Sequence, residues 1–279
     1  MRIYISIDME GVAGIVHVDQ TRADGQDFLR GRQLMTDEAN AAALGAFDAG
    51  AADVLINDSH GDMRNLLFER LDPRVQVISG SLKTYSMVQG VDARFDAALF
   101  IGYHGGAGAR GAVLDHTYSG ASVQEVRVNG RALNEAGINA LICGAHGTPV
   151  VLVAGDESCA AESRALLGDV ETVTTKWAYS RYSARSIHPA ESCRLIREAT
   201  KRAIAARSRV RPYRMDPPYE LRLRFHNPGM ADAAEVMPGV VRLDGTTVQF
   251  TASDVHDAFR AMLALSRLAD QSVPQVRAK

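Results

Sequence analysis

The opening stretch Met1-Arg-Ile-Tyr-Ile-Ser-Ile-Asp8-Met9-Glu10-Gly11 constrains this chain more than any other. It reads as a β-strand that runs out of apolar residues, ends in two carboxylates one residue apart, and meets a glycine at which the backbone turns. Alternate side chains of a strand share a face, so Asp8 and Glu10 are expected to point the same way, with Met9 turned into the core. Two acids held side by side repel unless a positive charge lies between them. A metal ion is the simplest such charge, and its other ligands have to come from elsewhere in the chain.

The strand-then-polar-end grammar repeats. The spacing of Leu34, Met35, Ala39, Ala43, Leu44 and Phe47 predicts a helix over 32–49 that stops at Gly50. A second strand, Asp53-Val-Leu-Ile56, runs into Asn57-Asp58-Ser59-His60-Gly61. Strands are expected at 75–79 and 97–102, the latter running into Tyr103-His104-Gly105-Gly106, with a short helix between them at 82–91. Helices at 134–145 and 157–167 flank a strand at 149–154. A strand at 170–176 and a long amphipathic helix from Pro189 to 206 follow. This alternation predicts an α/β fold, a mostly parallel open sheet with helices on both faces, Rossmann-like in layout.

Two segments depart from the pattern. Residues 107–130 read as an extended loop and hairpin, with period-two alternation over Ser122 to Val128 and an Asn129-Gly130 turn. The arginine- and proline-rich stretch from Arg207 to Pro218 marks a domain boundary. Residues 1–206 are therefore expected to form an α/β metal-binding catalytic domain, and 207–279 a smaller α+β C-terminal domain. In the latter, Glu220 to Phe225 alternates strictly, Asp244-Gly245 joins strands at 240–243 and 247–251, and Ser253 caps a final helix to 268.

Composition removes several classes of function. The chain has 279 residues, 23% charged, with a net charge of −2, which gives no electrostatic case for a nucleic-acid partner. The arginines of 207–214 are read as a solvated linker. No run is long enough to span a bilayer, and the opening does not resemble a signal peptide. Cys143, Cys159 and Cys193 are odd in number and lack a C-x-x-C pair, the usage of a reduced, cytoplasmic protein. Gly106-x-Gly108-x-x-Gly111 matches the dinucleotide fingerprint, but Ala112 to Gly120 has no helical period and so supplies no helix N-terminus for a pyrophosphate. A serine nucleophile elbow, G-x-S-x-G, is missing.

Asp8 and Glu10, His60, and His104 each stand just past the carboxyl end of an expected parallel strand, the edge of an open α/β sheet at which ligands bind. Mixed Asp, Glu and His donors suit zinc or another divalent first-row metal, and suit magnesium poorly. One carboxylate between two histidine-bearing strands can bridge two ions. Glu135, at the start of the helix after the Asn129-Gly130 turn, is available as a further anionic ligand. Lys83 and Tyr103, near strand ends, are candidates for contact with a substrate carboxylate.

Six blocks carry a resemblance: Ser6-Ile-Asp8-Met9-Glu10-Gly11, Asn57-Asp58-Ser59-His60-Gly61, Gly102-Tyr103-His104, Asp115-His116-Thr117, Asn129-Gly130 with Asn134-Glu135, and Val153-Ala-Gly155-Asp156. In order and spacing they resemble the binuclear zinc D-aminopeptidase family, strongly over the first 160 or so residues and weakly beyond. The resemblance implies that Asp8 bridges two zinc ions per subunit, that Glu10 and His60 complete one, and that His104 and Glu135 complete the other. Manganese and cobalt stand as alternative ions. It also implies that His116 is catalytic, that the substrates are short peptides or amides with an N-terminal D-amino acid, and that the subunits form a homo-oligomer, a decameric ring. Other readings are a metal-dependent amidase or esterase on another small substrate, and a non-catalytic binding protein of the same fold.

Overall fold

The structure is a computed structural model that describes residues 1–272; residues 273–279 of the expected C-terminal domain lie outside the described residues. The elements in chain order are β1 (Arg2–Ile7), α1 (Phe28–Asp48), β2 (Asp53–Asp58), β3 (Gln76–Ile78), β4 (Ala97–Tyr103), β5 (Val123–Val128), β6 (Arg131–Ala132), α2 (Glu135–Ala145), β7 (Val150–Asp156), α3 (Glu157–Leu167), β8 (Glu171–Ser180), β9 (Ser183–Ser186), α4 (Pro189–Ala205), β10 (Tyr219–Phe225), α5 (Pro228–Glu235), β11 (Val240–Arg242), β12 (Thr247–Ala252) and α6 (Val255–Gln271). The chain divides into two compact units. One takes in 1–105, 109–114 and 139–214; the other takes in 106–108, 115–138 and the chain from Met215. No helix among the described residues is long and apolar enough to cross a membrane.

The first unit holds a seven-stranded sheet in the order β3-β2-β1-β4-β7-β8-β9. Every pairing is parallel except β8 with β9, so the sheet is mostly parallel and flanked by helices, as the alternation predicts. Every residue of β4 and β7 is buried, which is why Ala-Ala-Leu-Phe-Ile-Gly-Tyr and Val-Val-Leu-Val-Ala-Gly-Asp read as continuous apolar runs. On one face Ile3, Ile5 and Ile7 of β1, with Val54, Ile56, Leu99 and Ile101, pack against Leu34, Met35 and Ala42 of α1 and Ile196, Ala199 and Ala203 of α4. Asp156 closes β7 and caps α3, accepting the Cys159 N–H at 2.8 Å.

Two local expectations fail here. The apolar spacing over 82–91 predicts a helix, yet the segment holds only a 3₁₀ turn at Ser86–Val88. Ser86 sits at φ 43°, the Gln89 side chain takes the Tyr85 N–H, and the Lys83 ammonium is drawn to Asn57 and Asp58. Side-chain bonds thus displace the helical ladder. The strand expected at 170–176 runs on to Ser180 and turns back as β9, a hairpin whose Arg181-Tyr182 turn carries no glycine, proline or asparagine to announce it.

The second unit is a five-stranded sheet in the order β11-β12-β10-β5-β6, antiparallel throughout. The strict alternation of β10 puts Leu221, Leu223 and Phe225 inward, where Leu221 pairs with Val128 and Leu223 with Val126. Helices α5 and α6 pack on this sheet. Asn129 and Gly130 both have positive φ, as a two-residue hairpin requires. The boundary between the units therefore falls at 214/215, and 106–108 and 115–138 go with the second unit, whereas the sequence reading placed 207–214 in the second domain and all of 106–138 in the first. Pairing between β5 and β10 is long-range, and linear reading does not register it. The final helix is capped by Asp254, which accepts the His256 N–H, and not by its neighbour Ser253.

Candidate metal centre

Strand β1 ends at Ile7, so Asp8, Met9 and Glu10 lie in the turn beyond it and not within the strand. The turn is laid across the end of β4: the Asp8 N–H donates to the Ile101 carbonyl at 2.9 Å and the Gly11 N–H to the Gly102 carbonyl at 2.7 Å. Met9 is fully buried, as expected, and the two acids flanking it are buried as well. They nonetheless converge. Nδ1 of His60 lies 3.2 Å from Asp8 Oδ1 and 2.9 Å from Glu10 Oε2. Nε2 of His104 lies 3.5 Å from Asp8 Oδ2. Ligand atoms of Asp8, Glu10 and His104 fall within 4.8 Å of one another.

The other nitrogen of each histidine is committed to the main chain. His60 Nε2 donates to the Thr21 carbonyl at 2.7 Å, and His104 Nδ1 to the Gly105 carbonyl at 2.9 Å. Those bonds fix each ring's orientation and turn His60 Nδ1 and His104 Nε2 toward the carboxylates. Burial opposes a proton on His60, but the charge of Glu10 and the hydrogen bonds to Asp8 and Glu10 outweigh it and hold the imidazole well above its usual range. In a metal-free chain that proton supplies part of the positive charge the two acids demand. Two buried carboxylates and two buried imidazoles, each ring tied from behind, form a donor set that fits a divalent first-row metal. A cleft of about 320 Å³ opens on Glu10 and His60, lined also by Thr21, Arg22, Asp24 and Phe28.

His116 and Glu135 belong to the second unit. Glu135 is buried at the start of α2, accepts the Tyr118 N–H at 2.7 Å, and lies 3.7 Å from Nε2 of His116. The structure thus brings together Asp8, Glu10, His60 and His104 in one unit, and His116 with Glu135 in the other. Tyr103 is not on a ligand surface: it is fully buried, with its hydroxyl 2.7 Å from Ser6 Oγ and 3.0 Å from Asn139 Nδ2. Lys83 is buried too, its ammonium bound to Asn57 Oδ1 and the Asp58 carbonyl. Both candidates for a substrate carboxylate are therefore spent inside the fold.

Two buried ionisable residues escape a sequence reading. Lys176, the last residue of the strand expected at 170–176, is wholly buried and donates to the Ile15 carbonyl at 2.6 Å and to that of Glu10. Burial lowers its ammonium to about 8, against the charges of Asp156, Glu38, Glu10 and Asp8. Glu38 reads as a polar position in α1, yet it too is buried, accepting the Ala13 N–H at 3.0 Å and the Ser192 hydroxyl at 2.6 Å. Burial pushes its carboxyl from 4.5 up to about 7, against those two bonds and the charge of Lys176.

The Glu38 shift has a signed consequence. Below pH 4.5 the carboxyl is protonated folded or unfolded; between there and about 7 only the folded chain keeps the proton, so stability falls as pH rises through that window. Glu38→Gln should remove this dependence. Urea denaturation of metal-free protein at pH 5 and pH 8 is expected to show the variant gaining about 3 kcal/mol relative to the parent across the interval. A difference independent of pH would contradict the assignment.

Comparison with known proteins gives the chain relatives over nearly its whole length. The D-aminopeptidase family, peptidase M55, matches residues 1–264. A D-aminopeptidase of Bacillus subtilis (strain 168) is 40% identical over 274 residues, covering 96% of this chain and 98% of that protein. A solved structure described as the Zn-dependent D-aminopeptidase DppA from Bacillus subtilis, a self-compartmentalizing protease, superposes with a TM-score of 0.95 at 38% identity, covering 97% of this chain and 98% of that one. With the match running over nearly its whole length, this chain belongs to the D-aminopeptidase family.

Proposed function

We propose that the chain is a metal-dependent aminopeptidase that releases N-terminal D-amino acids from short peptides or amides. The observation that carries the reading is the convergence of Asp8 and Glu10 on Nδ1 of a histidine whose other nitrogen is tied to Thr21. Zinc is the ion to expect, since one relative is described as Zn-dependent; the sequence resemblance points to two per subunit, which Asp8 would share, Glu10 and His60 holding one and His104 and Glu135 the other. Bound there, such ions supply Lewis acidity that lowers the pKa of water, polarises the scissile carbonyl and anchors the substrate's free amino group.

The chain's own residues do the rest. Thr21 and Gly105 hold the two imidazoles with His60 Nδ1 and His104 Nε2 turned toward the acids, so the donor atoms are arranged before any ligand arrives. Asp8 and Glu10, both buried, are the acids whose charge a bound cation would neutralise. His116, more open than the other donors, moves a proton to the leaving amine as general acid and base. The chain acts in the cytoplasm, as a homo-oligomer after the manner of its self-compartmentalizing relative, and a decamer is the size the sequence resemblance points to.

The decisive test is a panel of D- and L-aminoacyl amides and dipeptides assayed with and without a chelator. Cleavage confined to the D forms, lost with chelator and restored by zinc, is expected. Equal rates on both hands would overturn the substrate assignment, and activity indifferent to chelator would overturn the metal. Cleavage of unrelated amides or esters in preference would favour a broader amidase, and metal uptake without any hydrolysis a binding protein.

A further inference from the structure

The loop that carries Glu10 is held by two main-chain bonds to β4 where it leaves β1, and by side chains beyond them. From the end of β1 it crosses the ends of β4 and β7 to reach β8, three strands away in the sheet. There, consecutive residues take its carbonyls. The Thr175 hydroxyl donates to the Gly11 carbonyl and, at 3.0 Å, to Gly155. The Lys176 ammonium donates to the carbonyls of Glu10 and Ile15, at the two ends of the loop. Ser186 of β9 accepts the Gly14 N–H at 2.9 Å.

Consecutive residues of a regular strand face opposite sides of the sheet, so one of these two should point away. The pairing of β7 with β8 shows why neither does. Gly155 is opposite Thr174 and Asp156 is opposite Lys176, so Thr175 is the extra residue of a β-bulge. A bulge re-aims side chains locally. Its position here, at the sheet edge beneath the Glu10 loop, lets a hydroxyl and an ammonium address the same loop.

We propose that Thr175 and Lys176, aimed by this bulge, are positioning residues for Glu10; the proposal rests on the metal site described above. Two effects of Lys176 oppose one another. Its charge lies near Asp8 and Glu10 and, by Coulomb's law alone, disfavours a cation there. Its hydrogen bonds hold the loop, which favours one. Because the donors go to main-chain carbonyls at both ends of the loop, anchoring dominates, and removing the side chain weakens metal binding.

The sign makes the proposal testable without an activity assay. Metal-free Lys176→Met and Thr175→Val proteins are titrated with zinc against a chromophoric chelator, and the cobalt(II)-loaded proteins are compared by visible absorption. Lys176→Met is expected to lose about tenfold in affinity, in line with other groups that support a metal's ligands, and to change the cobalt spectrum. Thr175→Val should lose about threefold, the worth of one hydrogen bond. Unchanged or tighter binding by Lys176→Met, or an unaltered cobalt spectrum, would overturn the proposal. Should Lys176→Met fail to fold, Thr175→Val decides, and parental affinity in it overturns the proposal. A parent chain that takes up no metal at all would overturn the reading of the site and this proposal with it.

Discussion

Asp8→Asn is expected to yield a folded chain that takes up no metal and has lost at least about 1,000-fold in kcat/KM, or about 4 kcal/mol of transition-state stabilisation. Asparagine keeps the shape of the side chain and an oxygen to accept the Met9 N–H, which Asp8 Oδ1 binds at 2.9 Å. It removes the charge that faces both His60 and His104. In the metal-free state that charge is a burden as well as a ligand, since Asp8 and Glu10 are crowded onto one imidazole. Thermal stability of the metal-free variant should therefore stay within about 1 kcal/mol of the parent. Elemental analysis and denaturation on the same preparation separate the two effects. Two equivalents of metal retained by Asp8→Asn would refute the bridging role.

Gly11→Ala should be strongly destabilising for the addition of a single methyl group. A Cβ there would stand 1.8 Å from the Tyr103 carbonyl oxygen, and one on Gly155 would stand 1.8 Å from the same atom. Tyr103 ends a fully buried central strand, so its carbonyl has no room to retreat from either glycine. The loop would have to lift off the sheet edge, breaking the Gly11 bond to Gly102 and moving Glu10. The cost is expected at about 3 kcal/mol or more, a fall in Tm on the order of 10 °C. Gly168→Ala is the comparison. There the constraint is the reverse, a left-handed backbone at φ 73° with open space around the Cβ, and the substitution should cost about 1 kcal/mol. Equal melting of the two variants would show that close approach at Gly11 is not what demands glycine.

Much of the fold is legible along the chain because its central strands are covered on both faces. Burial on both sides writes itself as unbroken apolar runs in β4 and β7, and the helix between β1 and β2 shows in the spacing of Leu34, Met35, Ala39 and Ala43. The polar residues at the strand ends stand out against those runs, which is how Asp8, Glu10, His60 and His104 are found. Where side chains override the local pattern, legibility fails. Over 82–91 the apolar spacing suits a helix, but the bonds of Gln89 and Lys83 take the backbone elsewhere. The hairpin of β8 and β9 turns without turn residues. The split at 214/215 depends on β5 meeting β10, strands of opposite halves of the chain.

The carboxylate pair that opens the chain illustrates the division of labour. The sequence by itself determined that two acids follow an apolar strand, that His60 and His104 follow two others, and that a parallel sheet would bring these ends to one edge. It placed Asp8 and Glu10 on a common face by strand alternation, and that reason does not hold, because the strand has already ended at Ile7. Only the tertiary structure decided that the turn beyond it would still aim both acids at His60. The decision lies with groups distant in sequence and invisible to any local pattern: the Thr21 carbonyl behind His60, the Ala13 bond to Glu38, and a bulge in β8 that points Thr175 and Lys176 at the loop. Local periodicity reports which face of an element is buried. It does not report which buried polar groups find each other, because those bonds form between elements and are set by how the whole sheet edge packs.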